Sequence, residues 1–130
     1  MKSIKSNMFI IDCQVYPFQI FVYFGQDRKQ LYKTLQKILP KSSLKTLKTF
    51  EFNSGKSVMF PTGQTLLWLN KKPNSINGLA KLNHEIFHCA CFILERVGIV
   101  YSESSDEAYA YLIQYLTKQI YNKLDITFKK

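Results

Sequence analysis

The stretch from Ile76 to Val97 constrains this chain more than any other. It follows Ser75, a good helix N-cap, and closes at Gly98, a good C-terminal stop. Within it, Ile76, Leu79, Asn83, Ile86, Phe87, Ala90, Ile93, Leu94 and Val97 recur at helical spacing and share one broad stripe, apolar apart from Asn83. The spacing predicts a long helix with that stripe packed into a core. His84 and His88 fall beside the stripe, at the core's border, and they are the only histidines in the chain.

The remaining sequence supplies a small sheet and further helices. Met8 to Gln14 and Gln19 to Phe24 are rich in Ile, Val, Phe and Tyr and read as two strands separated by Tyr16-Pro17. Lys2 and Lys5 precede a short apolar run that Asp12 interrupts, so the start reads as a first strand rather than a signal peptide. Asp27 caps an expected helix from Arg28 to Leu39, stopped by Pro40, with Leu31, Leu35, Ile38 and Leu39 as its buried stripe. Lys29, Lys33 and Lys37 form a basic ridge on it, read as a solvated face. Lys41 to Phe52 reads as a polar, lysine-rich loop with a helical turn or two. Ser57 to Phe60 and Thr65 to Asn70 read as strands around the turn Pro61-Thr62-Gly63. A last helix is expected from Asp106 to Lys123, capped by Ser104 or Ser105, before a frayed tail from Thr127 to Lys130. The expected fold is one α+β domain over residues 1–130: a small mixed, mostly antiparallel sheet covered by the Ile76 helix, with the other two helices packed nearby.

His84-Glu85-Ile86-Phe87-His88 is an H-E-x-x-H motif. Residues four apart lie about 40° apart around a helix, so the two imidazoles can converge on one ion. Glu85 sits on the flank of that face, placed to take a proton from a water on the ion. A hydrolytic zinc site needs a third protein ligand, and with no third histidine a cysteine or carboxylate must serve. The acidic cluster from Glu103 to Glu107 follows the motif. Glu107, in the first turn of the last helix, is the preferred ligand, with Asp106 and Glu103 as alternatives. Cys91 is three residues past His88, Cys89 points elsewhere, and both read as small buried hydrophobes. Glu95 reads as a partner to an imidazole N–H or as a surface charge.

The run Leu82-Asn83-His84-Glu85-Ile86-Phe87-His88, followed by Asp106-Glu107-Ala108-Tyr109-Ala110, resembles the gluzincin clan of metallopeptidases over roughly residues 65–120. The brevity of the chain is similar to that of minimal gluzincins and of small zincin-like proteins from phages and gut bacteria. The resemblance implies a zincin-like fold, one zinc ion held by His84, His88 and Glu107, and Glu85 as catalytic base and acid in peptide-bond hydrolysis. It also implies that the strand Thr65 to Asn70 lines the cleft. Tyr111 stands where larger gluzincins carry an aspartate, and the chain has no room for their second subdomain. The implied activity is therefore weak or latent. The alternative is a zinc-holding, inactive or autoinhibited zincin-like protein that grips a protein or nucleic-acid partner. Tyr101, Tyr109 and Tyr111 are the candidates for stabilising an oxyanion, and Trp68 is read as a core or interface residue.

The net charge is +9, from 18 basic and 9 acidic residues, and only Arg28 and Arg96 are arginines. Base-reading interfaces lean on arginine, so the charge is assigned to solubility or loose attraction to anions. The expected partner is a peptide or protein substrate, with no membrane; a nucleic-acid-binding domain using its lysines, independent of zinc, is the least favoured reading, since the sequence shows no basic-aromatic motif of a known module. Three cysteines without framework spacing point to free thiols and a cytoplasmic setting.

Overall fold

A computed structural model describes residues 8–49 and 54–124 of the chain. The expected tail from Thr127 and the residues before Met8 lie outside that set. Eight elements follow in order: β1 (Met8–Asp12), β2 (Gln19–Phe24), α1 (Arg28–Gln36), α2 (Lys41–Thr49), β3 (Gly55–Met59), β4 (Thr65–Leu69), α3 (Ile76–Arg96) and α4 (Asp106–Leu124). The architecture is α+β, with a mixed four-stranded sheet in the order β1-β2-β4-β3. β1 and β2 pair antiparallel, as do β3 and β4, while the two central strands, β2 and β4, run parallel.

Gln-Ile-Phe-Val-Tyr-Phe and Thr-Leu-Leu-Trp-Leu are nearly unbroken apolar runs because both strands are covered on both faces. One face carries Ile20, Val22, Phe24, Leu67 and Leu69 against α3 and α4. The other carries Phe21, Tyr23, Leu66 and Trp68 against α1 and α2. Trp68 is fully buried there, and its indole N–H donates to the Gly25 carbonyl. It is a core residue, as the sequence suggests.

Several boundaries differ from the sequence reading for local reasons. β1 stops at Asp12 because Gln14 takes a left-handed φ of 57° and the chain turns, with the Tyr16 N–H donating to the Cys13 carbonyl. α1 ends at Gln36, and tighter turns through Ile38 and Leu39 lead to Pro40. The expected loop after Pro40 is instead the regular helix α2, which buries Leu44 and Leu47 against the sheet. The turn before β4 needs Gly63: its φ is +99°, and a Cβ there would sit 2.3 Å from the Phe18 ring.

α3 forms as expected, with the Ser75 hydroxyl accepting from Gly78 N–H and Gly98 at φ +88° ending it. The stripe it buries is rotated from the expected one. Leu82, Ile86, Cys89 and Ile93 face the core, whereas Ile76 is 87% and Phe87 48% exposed. α4 returns antiparallel along α3. Tyr121 Oη donates to Asn83 Oδ1 at 3.0 Å near one end, and Tyr109 Oη donates to the Ile99 carbonyl at 2.6 Å near the other. No helix among the described residues is long and apolar enough to cross a membrane.

Ile93 is fully buried between α3, the sheet and α4. Truncation to alanine there leaves a cavity that close packing cannot fill, so Ile93→Ala is expected to cost about 2–5 kcal/mol in urea unfolding. A loss under about 1 kcal/mol would mean that this layer is loosely packed.

Candidate metal and hydrolytic site

α3 presents both histidines on the side of the helix next to β3. His84 is exposed and His88 half-buried. Their Nε2 atoms stand 3.1 Å apart, with ring centroids at 4.7 Å and planes at 76°. Phe92 stacks on His88 at 6.4 Å between centroids and 23° between planes, which limits how that imidazole turns. Two nitrogens each about 2.0–2.1 Å from a tetrahedral zinc lie roughly 3.3 Å from one another. The pair is therefore spaced to accept one ion with only a few tenths of an ångström of adjustment. Without an ion, one imidazole N–H donates to the other ring.

Glu85 is held by the sheet. Ser57, on β3, donates to Glu85 Oε1 at 2.6 Å and lies 3.2 Å from the Glu85 backbone carbonyl. Strand alternation explains why Ser57 faces α3. Val58 turns to the α1–α2 side, so Gly55 and Ser57 turn the other way, opposite Leu69 and Leu67. The Cys89 thiol lies one turn along α3 from Glu85 and donates to Ser57 Oγ at 3.7 Å. Burial pushes that thiol well above the ordinary cysteine range, against a smaller opposing effect from the Ser57 hydrogen bond. It stays protonated and acts as a donor. A short chain thus runs from Cys89 through Ser57 to the carboxylate. The second carboxylate oxygen faces Gly55, where a Cβ would stand 3.8 Å from it. An open hollow of about 430 Å³ lies here, lined by Ser54, Gly55, Leu69, Lys81, His84 and Glu85.

The structure brings together His84, Glu85 and His88, but it does not bring Glu107 to them. Among the described residues no group of three or more His, Cys, Asp or Glu side chains is placed to hold an ion. The reason is the length of α3. The helix runs on to Arg96, eight residues past His88, a rise of roughly 12 Å. The chain reverses only beyond that point, and Glu107 lies exposed in the first turn of α4, at the far end of the helical hairpin. Glu103 and Asp106 are at the same end and are also exposed. The three tyrosines considered for an oxyanion belong to that end too: Tyr101 and Tyr111 are exposed, and Tyr109 is buried with its hydroxyl on Ile99. Cys91 lies on the α4 side, close enough to Glu95 for that charge to raise its thiol beyond the larger effect of burial.

The strand that the resemblance implies reaches the hollow through Leu69 but does not carry the contact to Glu85. β4 is interior, paired on one side with β2 and on the other with β3. Among the described residues β1 and β3 are the sheet's two edge strands, and β3, the one beside α3, carries Ser57. Nothing in the sequence singles Ser57 out. It lies 28 residues before Glu85, and a serine in a strand gives no spacing signal towards a helix so far along the chain.

With this geometry in place, comparison with known families, curated proteins and solved structures returns no match.

The described cysteines are all free. Burial first, and the neighbouring Asp12 charge second, push the Cys13 thiol up from 9.0 to about 12, and Cys89 shifts in the same direction. An unfolded chain loses these protons at lower pH than the folded one. Their contribution to stability is therefore complete below pH 9 and falls as pH rises from 9 towards 12. Urea midpoints measured across that window should decline, and the decline should be smaller in Cys13→Ala. A flat profile would place these thiols in contact with solvent.

Proposed function

We propose that this protein is a zinc-dependent hydrolase of the H-E-x-x-H type that cuts peptide bonds. The observation supporting this most directly is the 3.1 Å separation of the His84 and His88 Nε2 atoms, with the Glu85 carboxylate anchored beside them by Ser57. His84 and His88 would hold the ion. When bound, zinc would supply Lewis acidity that acidifies a water and polarises a carbonyl.

The other roles belong to the chain's own residues. Glu85 takes the proton of the attacking water at its carboxylate and returns it to the leaving amine. Ser57 fixes the rotation of that carboxylate by occupying Oε1, which leaves Oε2 facing the hollow beside Gly55. Gly55 is needed there because a Cβ would stand 2.7 Å from a Leu69 methyl and 3.1 Å from the Trp68 carbonyl oxygen. An extended peptide would pair with the edge of β3 that is unpaired among the described residues, since edge strands offer backbone donors and acceptors. On this reading the zincin-like arrangement is a helix-borne ligand pair facing an edge strand, with β3 in the place expected of Thr65 to Asn70.

One observation favours a second reading. With Glu107 at the far end of the hairpin, the described donors are one short of the three protein ligands of a catalytic zinc site. A protein that grips a partner through zinc, without turnover, would take the missing donors from that partner, since a closed zinc site needs four ligands.

Metal analysis after dialysis decides the ligand set. His84→Ala and His88→Ala are each expected to lose nearly all the zinc, whereas Glu107→Ala keeps it. Loss of half the zinc or more in Glu107→Ala would instead bring the first turn of α4 to the pair. Zinc retained in both histidine variants would remove the site altogether.

Cleavage of denatured casein separates hydrolase from binder. Glu85→Gln should keep its zinc and lose roughly a hundredfold or more in kcat. Ser57→Ala should lose roughly ten- to a hundredfold in kcat at unchanged zinc content, as expected of a residue that orients the base. No zinc-dependent cleavage by the unaltered protein, across a panel of unfolded substrates, would leave the binding reading.

A further inference from the structure

The second large feature of the molecule lies on the opposite side of the sheet, on the α1–α2 layer. From Arg28 to Thr49 there are seven basic residues and no aspartate or glutamate. None of the lysines in this span makes an ion pair among the described residues, and Lys29, Lys33, Lys37, Lys41, Lys45 and Lys48 are all exposed. Because α2 is a helix and not a loop, these charges are fixed along two packed helices. Between the helices runs an open groove lined by Arg28, Lys29, Tyr32, Lys33, Gln36 and Lys48. Tyr32 is half-buried in it, backed by the core cluster on that face, and the Lys48 ammonium lies 5.6 Å from its ring centroid.

We infer that this groove binds single-stranded nucleic acid without sequence preference, with a base stacked on Tyr32 and the phosphates on the flanking lysines. Three observations favour this ligand over other anions. Lys29 and Lys33 are one helical step of four residues apart, a rise of roughly 6 Å, so they present charge as a row that a repeating anion can follow. An aromatic ring in a cationic groove is the combination that strands with unpaired bases recognise, since every base has a face to stack. Neither arginine is placed to read base edges: Arg28 donates from Nη1 to the Leu47 and Lys48 carbonyls at 3.1 Å each, closing the end of α2, and Arg96 donates to the Pro61 carbonyl at 2.6 Å on another part of the molecule. The sequence reading against sequence-specific DNA binding is compatible with this mode, and α2, expected as a loop, gives the groove its second wall and raises the reading that the sequence favours least. A bilayer surface is a poorer match, because the apolar part of this groove is one ring facing a lysine and not a row of aliphatic side chains.

The test is fluorescence anisotropy with a labelled oligothymidylate long enough to cross both helices, titrated with the full chain after chelation of zinc. Chelation keeps this outcome independent of the histidine site. Binding should weaken steeply with added salt. Lys29→Gln combined with Lys33→Gln should lower the slope of log affinity against log salt by roughly 1.4, about 0.7 for each single-strand phosphate that is no longer neutralised. Tyr32→Ala should weaken binding roughly tenfold or more, and Tyr32→Phe should not. Because Tyr32 also rests on the core, Gln36→Glu provides a variant at an exposed groove position. Its carboxylate should repel the strand and weaken binding in a protein whose melting temperature is unchanged. Three results would each overturn the inference: affinity unaffected by both Gln36→Glu and the lysine pair, tighter binding to a duplex of the same length, or tighter binding to phosphatidylserine vesicles than to the oligonucleotide.

Discussion

Burial of β2 and β4 on both faces is the constraint on which the rest of the structure depends. Ile20 to Phe24 and Leu66 to Leu69 have almost no accessible surface. Two such strands cannot sit in a sheet with one wet face, because every second side chain would be an exposed aliphatic or aromatic group. The chain therefore builds a layer on each side. α3 and α4 form one and α1 and α2 the other, and each of the two candidate surfaces follows from one layer. The histidine pair is displayed where α3 crosses the edge strand, and the lysine-rich groove where α1 meets α2.

Much of this was legible from local chemistry. Ser75 and Gly98 bracket α3 because an orphan N–H needs an acceptor and a left-handed residue needs no Cβ. β2 and β4 were readable as apolar runs between turn residues, α1 from its cap and spacing, and α4 from its spacing, since the Ser105 hydroxyl expected as a cap bonds Val100 and Ser102 instead. Two features were not. The sequence stripe of α3 counted Ile76 and Phe87 as core, while the buried line runs through Leu82, Ile86, Cys89 and Ile93. Hydrophobic residues at a helix flank shift the apparent centre of a stripe, and only the position of the sheet reveals the true one. α2 was hidden for the opposite reason. Its composition is that of a solvated loop, and only Leu44 and Leu47 among its side chains add to the apolar core on that face, while Arg28 of α1 closes its last turn.

The candidate site divides in the same way. The spacing of His84 and His88 within one helix is enough to predict that their rings converge, since helix geometry is local. The hydroxyl on Glu85 comes from Ser57, and pairing between distant segments decides that. Glu107 shows how a plausible sequence distance misleads. The 19 residues from His88 to Glu107 would return a carboxylate to the pair if the first helix stopped soon after the second histidine. Here Cys89, Ala90, Ile93 and Leu94 continue the buried face for two more turns, and the core holds the helix straight past the site. The reversal then falls too far along the chain for the acidic cluster to come back.

The anchoring of Glu85 has a mechanical consequence. The imidazoles travel with helix α3, whereas the carboxylate between them in sequence is tethered through Ser57 to a strand in another layer. Glu85 belongs to the same helix, so a slide of α3 across the sheet would carry all three side chains and stretch or break the Ser57 contact, and the turn of the carboxylate relative to the rings is therefore set by alignment of the two layers. Whatever presses on that outer strand thereby acts on the alignment, and through it on the direction in which the Glu85 carboxylate points.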